Sequence, residues 1–436
     1  VKDQLNEYIY DAELADLKLQ VATKSNGIEF TIRGYNDKQM TLLKKLLYHL
    51  FEFQADEKRF NILKEEYARS LKNFYAEQPY QHSIYYLALL LTENAWANNE
   101  LLEAMELVTF DRVISYAKQF LSRLHTECFI YGNVNKKQAH EIAAVMNEQL
   151  ELTNAKILPL LARQMLAKRE YKLCPGDNYL FEKENEFHKS SCTQVYFQCG
   201  PQTDHSNIMV NLMAQILTEP CYDCLRTKEQ LGYIVFSGMR KVNGVNGFRI
   251  IVQSSKHPSF VEDRIENFLK NYLVMRKFIA VSLLANTINF RSISFKQTIE
   301  EMPPEEFERH KEALAVKKLE KPKTVYNQFN QFYNEIALAQ YHFDRSEAEV
   351  ALLRKITKPE LIECYKSFIG CNSPERRVLV VHILSTQYDA AENCDEWLDR
   401  HHQKITDFVA FKSSKELYPL ASPYLNIQAK GARSKL

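Results

Sequence analysis

No run of apolar residues in this 436-residue chain exceeds residues 84–91 (IYYLALLL), far short of the roughly 20 that span a bilayer. The first residues also lack a charged, then apolar, then small-residue leader pattern. There is no excess of either charge: 56 lysines and arginines face 55 aspartates and glutamates, so no global field draws the chain to nucleic acid or to an anionic membrane. Cysteine is sparse. Nine scattered residues are too few for a disulfide framework and too odd in number to pair completely. The expectation is a protein of a reducing, cytoplasmic compartment with neither a membrane nor a nucleic-acid partner.

One C-x-x-C occurs, at Cys221 and Cys224, but no second C-x-x-C or C-x-x-H completes a four-ligand zinc set. It reads as two ordinary thiols on adjacent helical turns. The chain opens on Val1, already inside a helical pattern (Leu5, Tyr8, Ile9, Ala12), which suggests a fragment. It closes on Ser434-Lys435-Leu436, a peroxisomal import address when it stands at a free C-terminus.

With 45% hydrophobic and 25% charged residues, a chain of this length is expected to hold two cores. Apolar spacing at Phe60, Leu63, Tyr67, Leu71 and Phe74 predicts an amphipathic helix over residues 56–76. Before it come a helix (5–17), a strand (18–22), an Asn26-Gly27 turn, a strand (28–33) and a helix (38–51). After it come helices near 83–91 and 109–124 and a strand at 127–131. The second half repeats this order: a helix (206–218), a short helix from Glu219, strands 233–237 and 248–253 around an Asn243-Gly244 turn, helices containing Phe307, His310, Leu314 and then Leu361, Phe368, and a strand at 378–383. This predicts an α+β fold of two homologous domains, each a mixed or antiparallel sheet packed against helices, over residues 1–165 (truncated at its start) and 166–436.

The repeat has one irregularity. Gly27 to Phe60 is 33 residues, but the matching Gly247 to Phe307 is 60. The excess falls on residues 274–297, a stretch with four basic residues, no acids and neither helical nor strand period. It reads as an aberrant insertion, a translated intron or a gene-model error, with a real surface loop as the alternative.

The most distinctive segment is E-P-C-Y-D-C-L-R-T-K-E-Q-L-G-Y-I-V-F-S-G from Glu219 to Gly238. Its pattern predicts a helix ending at Leu231, chain reversal at Gly232 and a strand from Tyr233. Arg226 and Tyr233 then share one helix-to-strand corner, where a guanidinium and a phenol can both donate to a peptide carbonyl or a developing oxyanion.

L-R-T-K-E-Q-L-G-Y-I-V resembles the fourth domain of pitrilysin-like inverted zincins of the insulin-degrading type. LNEY, DAELA, GYNDKQ, DEKRF, AEQPYQH and LSRLH extend the resemblance over almost the whole chain. It implies the C-terminal, non-catalytic half of a zinc metalloendopeptidase that closes a chamber over peptide substrates, with zinc on an H-x-x-E-H motif in a separate N-terminal half. Neither H-x-x-E-H nor H-E-x-x-H occurs here; the nearest, His49-Leu50-Phe51-Glu52-Phe53, has phenylalanine at the second ligand position. The resemblance assigns substrate binding to Arg226 and Tyr233, with Tyr233 stabilising the transition state. It also assigns ATP or other polyanion binding to Glu320, Lys321, Pro322, Lys323, Thr324, Val325 and Tyr326, beside Lys317 and Lys318, and a homodimer. A peptide-binding or scaffold module without activity, or a core subunit of a larger assembly, is the alternative function. If the insertion is intronic, mature transcripts join Leu273 directly to Thr298; RNA reads that run through the segment in mature message contradict it.

Overall fold

The computed structural model of the protein describes residues 3–24, 26–52, 54–152, 158–161, 164–165, 167–274, 299–386 and 402–424. The expected insertion, apart from Val274, and the Ser434-Lys435-Leu436 tail lie outside the described residues. The chain forms two compact units from interleaved segments, residues 1–71, 98–167 and 322–334 in the first and 72–97, 168–321 and 335–436 in the second.

The second unit is organised by the strand Ser191–Pro201, SCTQVYFQCGP, in which every residue except Pro201 is buried. Such continuous burial requires both faces of a sheet to be covered. Alternate side chains go to opposite layers. Val195 and Phe197 join a core with Leu212, Met213 and Leu217 of the helix Asp204–Tyr222. Tyr196 joins another with Leu87, Leu90 and Leu91 of the helix Pro79–Leu91. Each such fully buried aliphatic side chain contributes about 1.5–3 kcal/mol relative to exposure.

Among the described residues six strands make the sheet, in the order Gln403–Ile405, Asn178–Asn185, Val378–Ser385, Ser191–Pro201, Val245–Ser254, Ile234–Val242. The first three are mutually parallel and the remaining neighbours antiparallel. This mixed sheet between helices is the expected α+β class. Two polar groups inside it are paired as follows. Gln198 accepts from the Leu173 N–H at 2.8 Å and donates to the Tyr171 carbonyl at 2.9 Å. Arg240 donates to both oxygens of the fully buried Glu170 at 2.8 and 2.7 Å.

In the first unit the helix Asn6–Leu14, the hairpin of Lys18–Lys24 with Gly27–Arg33 and the helix Gln39–Phe51 enclose Leu5, Ile9, Leu17, Leu19, Leu42 and Leu46. Two expectations need correction. Residues 127–131 form no strand: Phe129 stacks on Phe329 and Tyr131 packs at a tilt against Phe332, with ring centroids 5.0 and 5.6 Å apart. The helix Glu57–Asn73 forms as expected, but of its apolar stripe only Leu71 is buried, Leu63 and Tyr67 being about half exposed.

Beneath the helix Pro258–Val274 lies a buried charged cluster in the second unit. Glu262 Oε2 is 2.9 Å from His382 Nε2, and its Oε1 is 2.6 Å from His402 Nε2. His382 Nδ1 is 3.7 Å from Glu182, which also pairs with Lys404, and His257 is near enough to interact electrostatically with both His382 and Glu182. Burial works against charge on Glu262, but hydrogen bonds from His382 and His402 outweigh it and hold the carboxyl below its ordinary range. Burial likewise opposes charge on His382, and the two carboxylates overcome it and raise its pKa above 6.5.

The signs are opposite. The raised imidazole stabilises the fold fully below pH 6.5 and loses that contribution as pH rises through its folded-state value. The depressed carboxyl stabilises above 4.5 and loses it as pH falls. Thermal melts should therefore show stability falling as pH rises above 6.5, and His382→Gln should flatten that limb; an unchanged limb in this variant removes His382 as its source.

Candidate functional site at the Arg226–Tyr233 corner

The helix Asp204–Tyr222 starts with a reciprocal cap, the Thr203 hydroxyl accepting from the Ser206 N–H at 3.0 Å and Ser206 Oγ from the Thr203 N–H at 2.9 Å. It does not simply stop. Residues Asp223–Lys228 widen into a π-helical turn, with the Glu229 N–H donating to the Cys224 carbonyl five residues back at 3.0 Å. The Glu229 carboxylate is fixed by Arg264 at 2.7 and 2.8 Å. The helix thus ends three residues before the expected Leu231.

Chain reversal falls on Gln230, at φ +53°, not on Gly232. Glycine is required at 232 for a different reason: a Cβ there would sit 1.9 Å from the Gln253 carbonyl oxygen. Close approach of backbone to the neighbouring strand, not left-handed geometry, excludes a side chain. The Leu231 carbonyl accepts from the Ser254 hydroxyl at the same junction.

The corner brings Arg226 and Tyr233 together as expected. Arg226 Nη1 donates to the Tyr233 carbonyl at 2.6 Å. Its guanidinium carbon lies 4.4 Å from the Tyr233 ring centroid and 5.1 Å from that of Tyr222, a cation held between two aromatic faces. Tyr233 is 82% exposed and Tyr222 43%. Tyr222 was not among the residues expected at the site, although its position four residues before Arg226 on a helix puts both on one face. A guanidinium already placed to hold a main-chain carbonyl, beside an exposed phenol, can bind a peptide backbone and donate to negative oxygen.

The other segments singled out in the sequence stand apart from this corner. Cys221 and Cys224 are buried free thiols, each pushed up to about 12 by burial, so neither supplies a thiolate at neutral pH. Among the described residues no group of three or more His, Cys, Asp or Glu is placed to hold a metal ion. Glu320, Lys321, Pro322, Lys323, Thr324, Val325 and Tyr326 are all exposed. Glu320 and Lys321 belong to the second unit and the remaining five to the first, where the Tyr326 ring stacks under Arg33 at 4.5 Å. Of the lysines beside them, Lys318 is paired with the buried Glu349 at 2.6 Å. A surface cavity of about 570 Å3 includes Lys317, Arg354 and, of the seven, Glu320 alone. Among the described residues no helix is long and apolar enough to cross a membrane.

Residues 1–104 match the family model described as the middle or third domain of peptidase M16, and residues 107–289 match the peptidase M16 inactive domain. The insulin-degrading enzyme of Drosophila melanogaster is 67% identical over 441 residues, covering 100% of this chain and 42% of that protein. The insulin-degrading enzyme of Homo sapiens is 38% identical, covering 98% of this chain and 41% of that protein. In architecture the chain is similar to the crystal structure of pitrilysin, with a TM-score of 0.78 at 19% identity, over 96% of this chain and 41% of that one. The chain belongs to the M16 peptidase family. It spans about two fifths of the length of the curated relatives it matches.

The corner's geometry is tested by two substitutions. Gly232→Ala should lower stability by about 1–3 kcal/mol through the forced collision with Gln253, and Gln230→Gly should be neutral or stabilising because it removes left-handed strain. Chemical-denaturation midpoints in the reverse order contradict this assignment of the turn.

Proposed function

We propose that the chain is the non-catalytic half of a zinc metalloendopeptidase, in which Arg226 and Tyr233 hold the substrate backbone beside the scissile bond. The observation that carries this reading is the guanidinium pinned between Tyr222 and Tyr233 and already bonded to a main-chain carbonyl. Family membership supports a peptidase, and the description of residues 107–289 as an inactive domain is consistent with a half that has no activity of its own. In this reading residues 1–165 and 166–436 are the third and fourth domains of a four-domain enzyme. Zinc belongs to the H-x-x-E-H half, and no metal role falls to any residue here.

The Tyr233 hydroxyl donates to the oxygen that becomes negative in the tetrahedral intermediate, while Arg226 fixes the adjacent carbonyl. Preorganised donors of this kind act where charge develops and need no reorganisation during reaction. Peptides and the zinc-bearing half are the partners. Ser434-Lys435-Leu436 is a peroxisomal address and residues 320–326 a polyanion segment on sequence resemblance alone.

Adding a separately expressed H-x-x-E-H half should create chelator-sensitive peptidase activity, and Tyr233→Phe should lower kcat by about 10²- to 10³-fold. No activity on recombination favours a peptide-binding or scaffold module. Activity with full kcat in Tyr233→Phe removes the tyrosine from the chemistry.

A further inference from the structure

The strand Ile234–Val242 is an edge of the six-stranded sheet, pairing with Val245–Ser254 and with no other strand among the described residues. Proteins ordinarily blunt such edges by keeping them short or by adding prolines or bulges. The opposite edge is short, only the three residues Gln403–Ile405. Ile234–Val242 has nine residues and no proline, and its register runs unbroken from Ile234 opposite Gln253 to Val242 opposite Val245. A regular edge of that length is suited to receiving another strand.

The hairpin fixes which groups are free. Asn243 and Gly244 form its two-residue turn with φ of 47° and 79°, a turn closed by a hydrogen-bonded pair, here Val242 and Val245. Alternation along the ladder then directs the N–H and C=O groups of Ile234, Phe236, Gly238, Arg240 and Val242 to the partner strand. Those of Val235, Ser237, Met239 and Lys241 point outward, and no described residue donates to or accepts from them. The Tyr233 carbonyl continues the outward row. It is the group that Arg226 holds, so the free row begins at the proposed clamp.

We infer that an extended segment of the peptide substrate adds to this edge as a seventh strand, running from the Arg226–Tyr233 corner along Val235, Ser237, Met239 and Lys241. The inference deepens the peptide-clamp reading and rests on it. Main-chain bonds give affinity without demanding a sequence, and pockets for alternate side chains give preference. On one face Val235 and Met239 pack against the core. On the other Phe236 is 45% exposed, with Arg249 5.4 Å from its ring centroid, so a peptide side chain placed beside Phe236 meets an aromatic ring and is favoured when apolar.

Fluorescence anisotropy with the full chain tests this, using fluorescein-labelled Lys-Thr-Phe-Thr-Val-Thr-Lys and two versions N-methylated on alternate residues, one for each set. Methylation of the set that faces the edge should weaken binding at least about ten-fold, and the other set less. Met239→Pro, which deletes one outward N–H and no ladder bond, should weaken the parent peptide several-fold. If Met239→Pro does not fold, the methylated peptides on the unaltered chain decide alone. Parent binding that is lost in Arg226→Ala but indifferent to methylation overturns the edge and leaves the clamp. Binding indifferent to Arg226→Ala as well, or no parent binding at about 1 mM, overturns both. A chain dimer that Met239→Pro converts to monomer, with no peptide effect, gives the edge to a second copy and also overturns the inference.

Discussion

Burial of the strand Ser191–Pro201 on both faces is the constraint from which the second unit follows. A strand with water on neither side needs a partner along each edge and a helix over each face, because its backbone and apolar groups otherwise lack compensation. Val378–Ser385 and Val245–Ser254 supply the edges, while Asp204–Tyr222 and Pro79–Leu91 supply the faces. Each covering element brings a further demand. The helix Asp204–Tyr222 must return to the sheet, and the route it takes, through a π-helical turn, a left-handed Gln230 and a glycine pressed against Gln253, sets the angle at which Arg226 meets Tyr233. The candidate site is therefore a product of chain return, made where the covering helix joins the outermost strand.

Several of the polar groups inside this frame are answered locally, although the buried Gln194 side chain is not. Gln198 bridges two backbone groups, and Arg240 is paired in both of its terminal nitrogens with Glu170. Glu262 is shared between two imidazoles. Buried pairs of this kind add little net stability relative to apolar residues, but removing one partner leaves an uncompensated charge. Their value lies in specifying register: Arg240 reaches Glu170 only if Ile234–Val242 is paired as observed, and a one-residue slip would turn it to the other face. The same pair thus fixes which backbone groups of the edge strand face outward.

Much of this was legible in the sequence wherever local chemistry settles local structure. Asn243-Gly244 names its own turn, Thr357 and Glu360 name a helix start, and the L-R-T-K-E-Q-L-G-Y-I-V segment places Arg226 beside Tyr233. What escaped depends on distant partners. Ser191–Pro201, the centre of the sheet, carries Thr193, Gln194 and Gln198 among its apolar residues and shows no alternation, since both of its faces are buried. Residues 127–131 have strand composition, but no strand among the described residues pairs with them, and their aromatic rings find Phe329 and Phe332 instead. Gly232 was recognisable as special, but its reason lies 21 residues away at Gln253. Tyr222 needed only the helical spacing to Arg226, a signal that was present and unread.

Division of labour between backbone and side chains gives the corner its chemical character. A peptide bound only through side chains is selected by sequence, whereas one bound through its carbonyls and N–H groups is selected by being extended. Arg226 holds a main-chain oxygen in the structure itself, which shows the geometry it offers to any carbonyl in that position. The two tyrosine rings keep the guanidinium from collapsing onto acidic neighbours, since stacking fixes its plane while leaving donors at its rim. With Glu229 committed to Arg264 and Asp223 to Lys228, the carboxylates of the same turn are neutralised by other cations. Arg226 thus keeps its remaining donors, and in the proposed reading those donors meet the one feature that all extended peptides share.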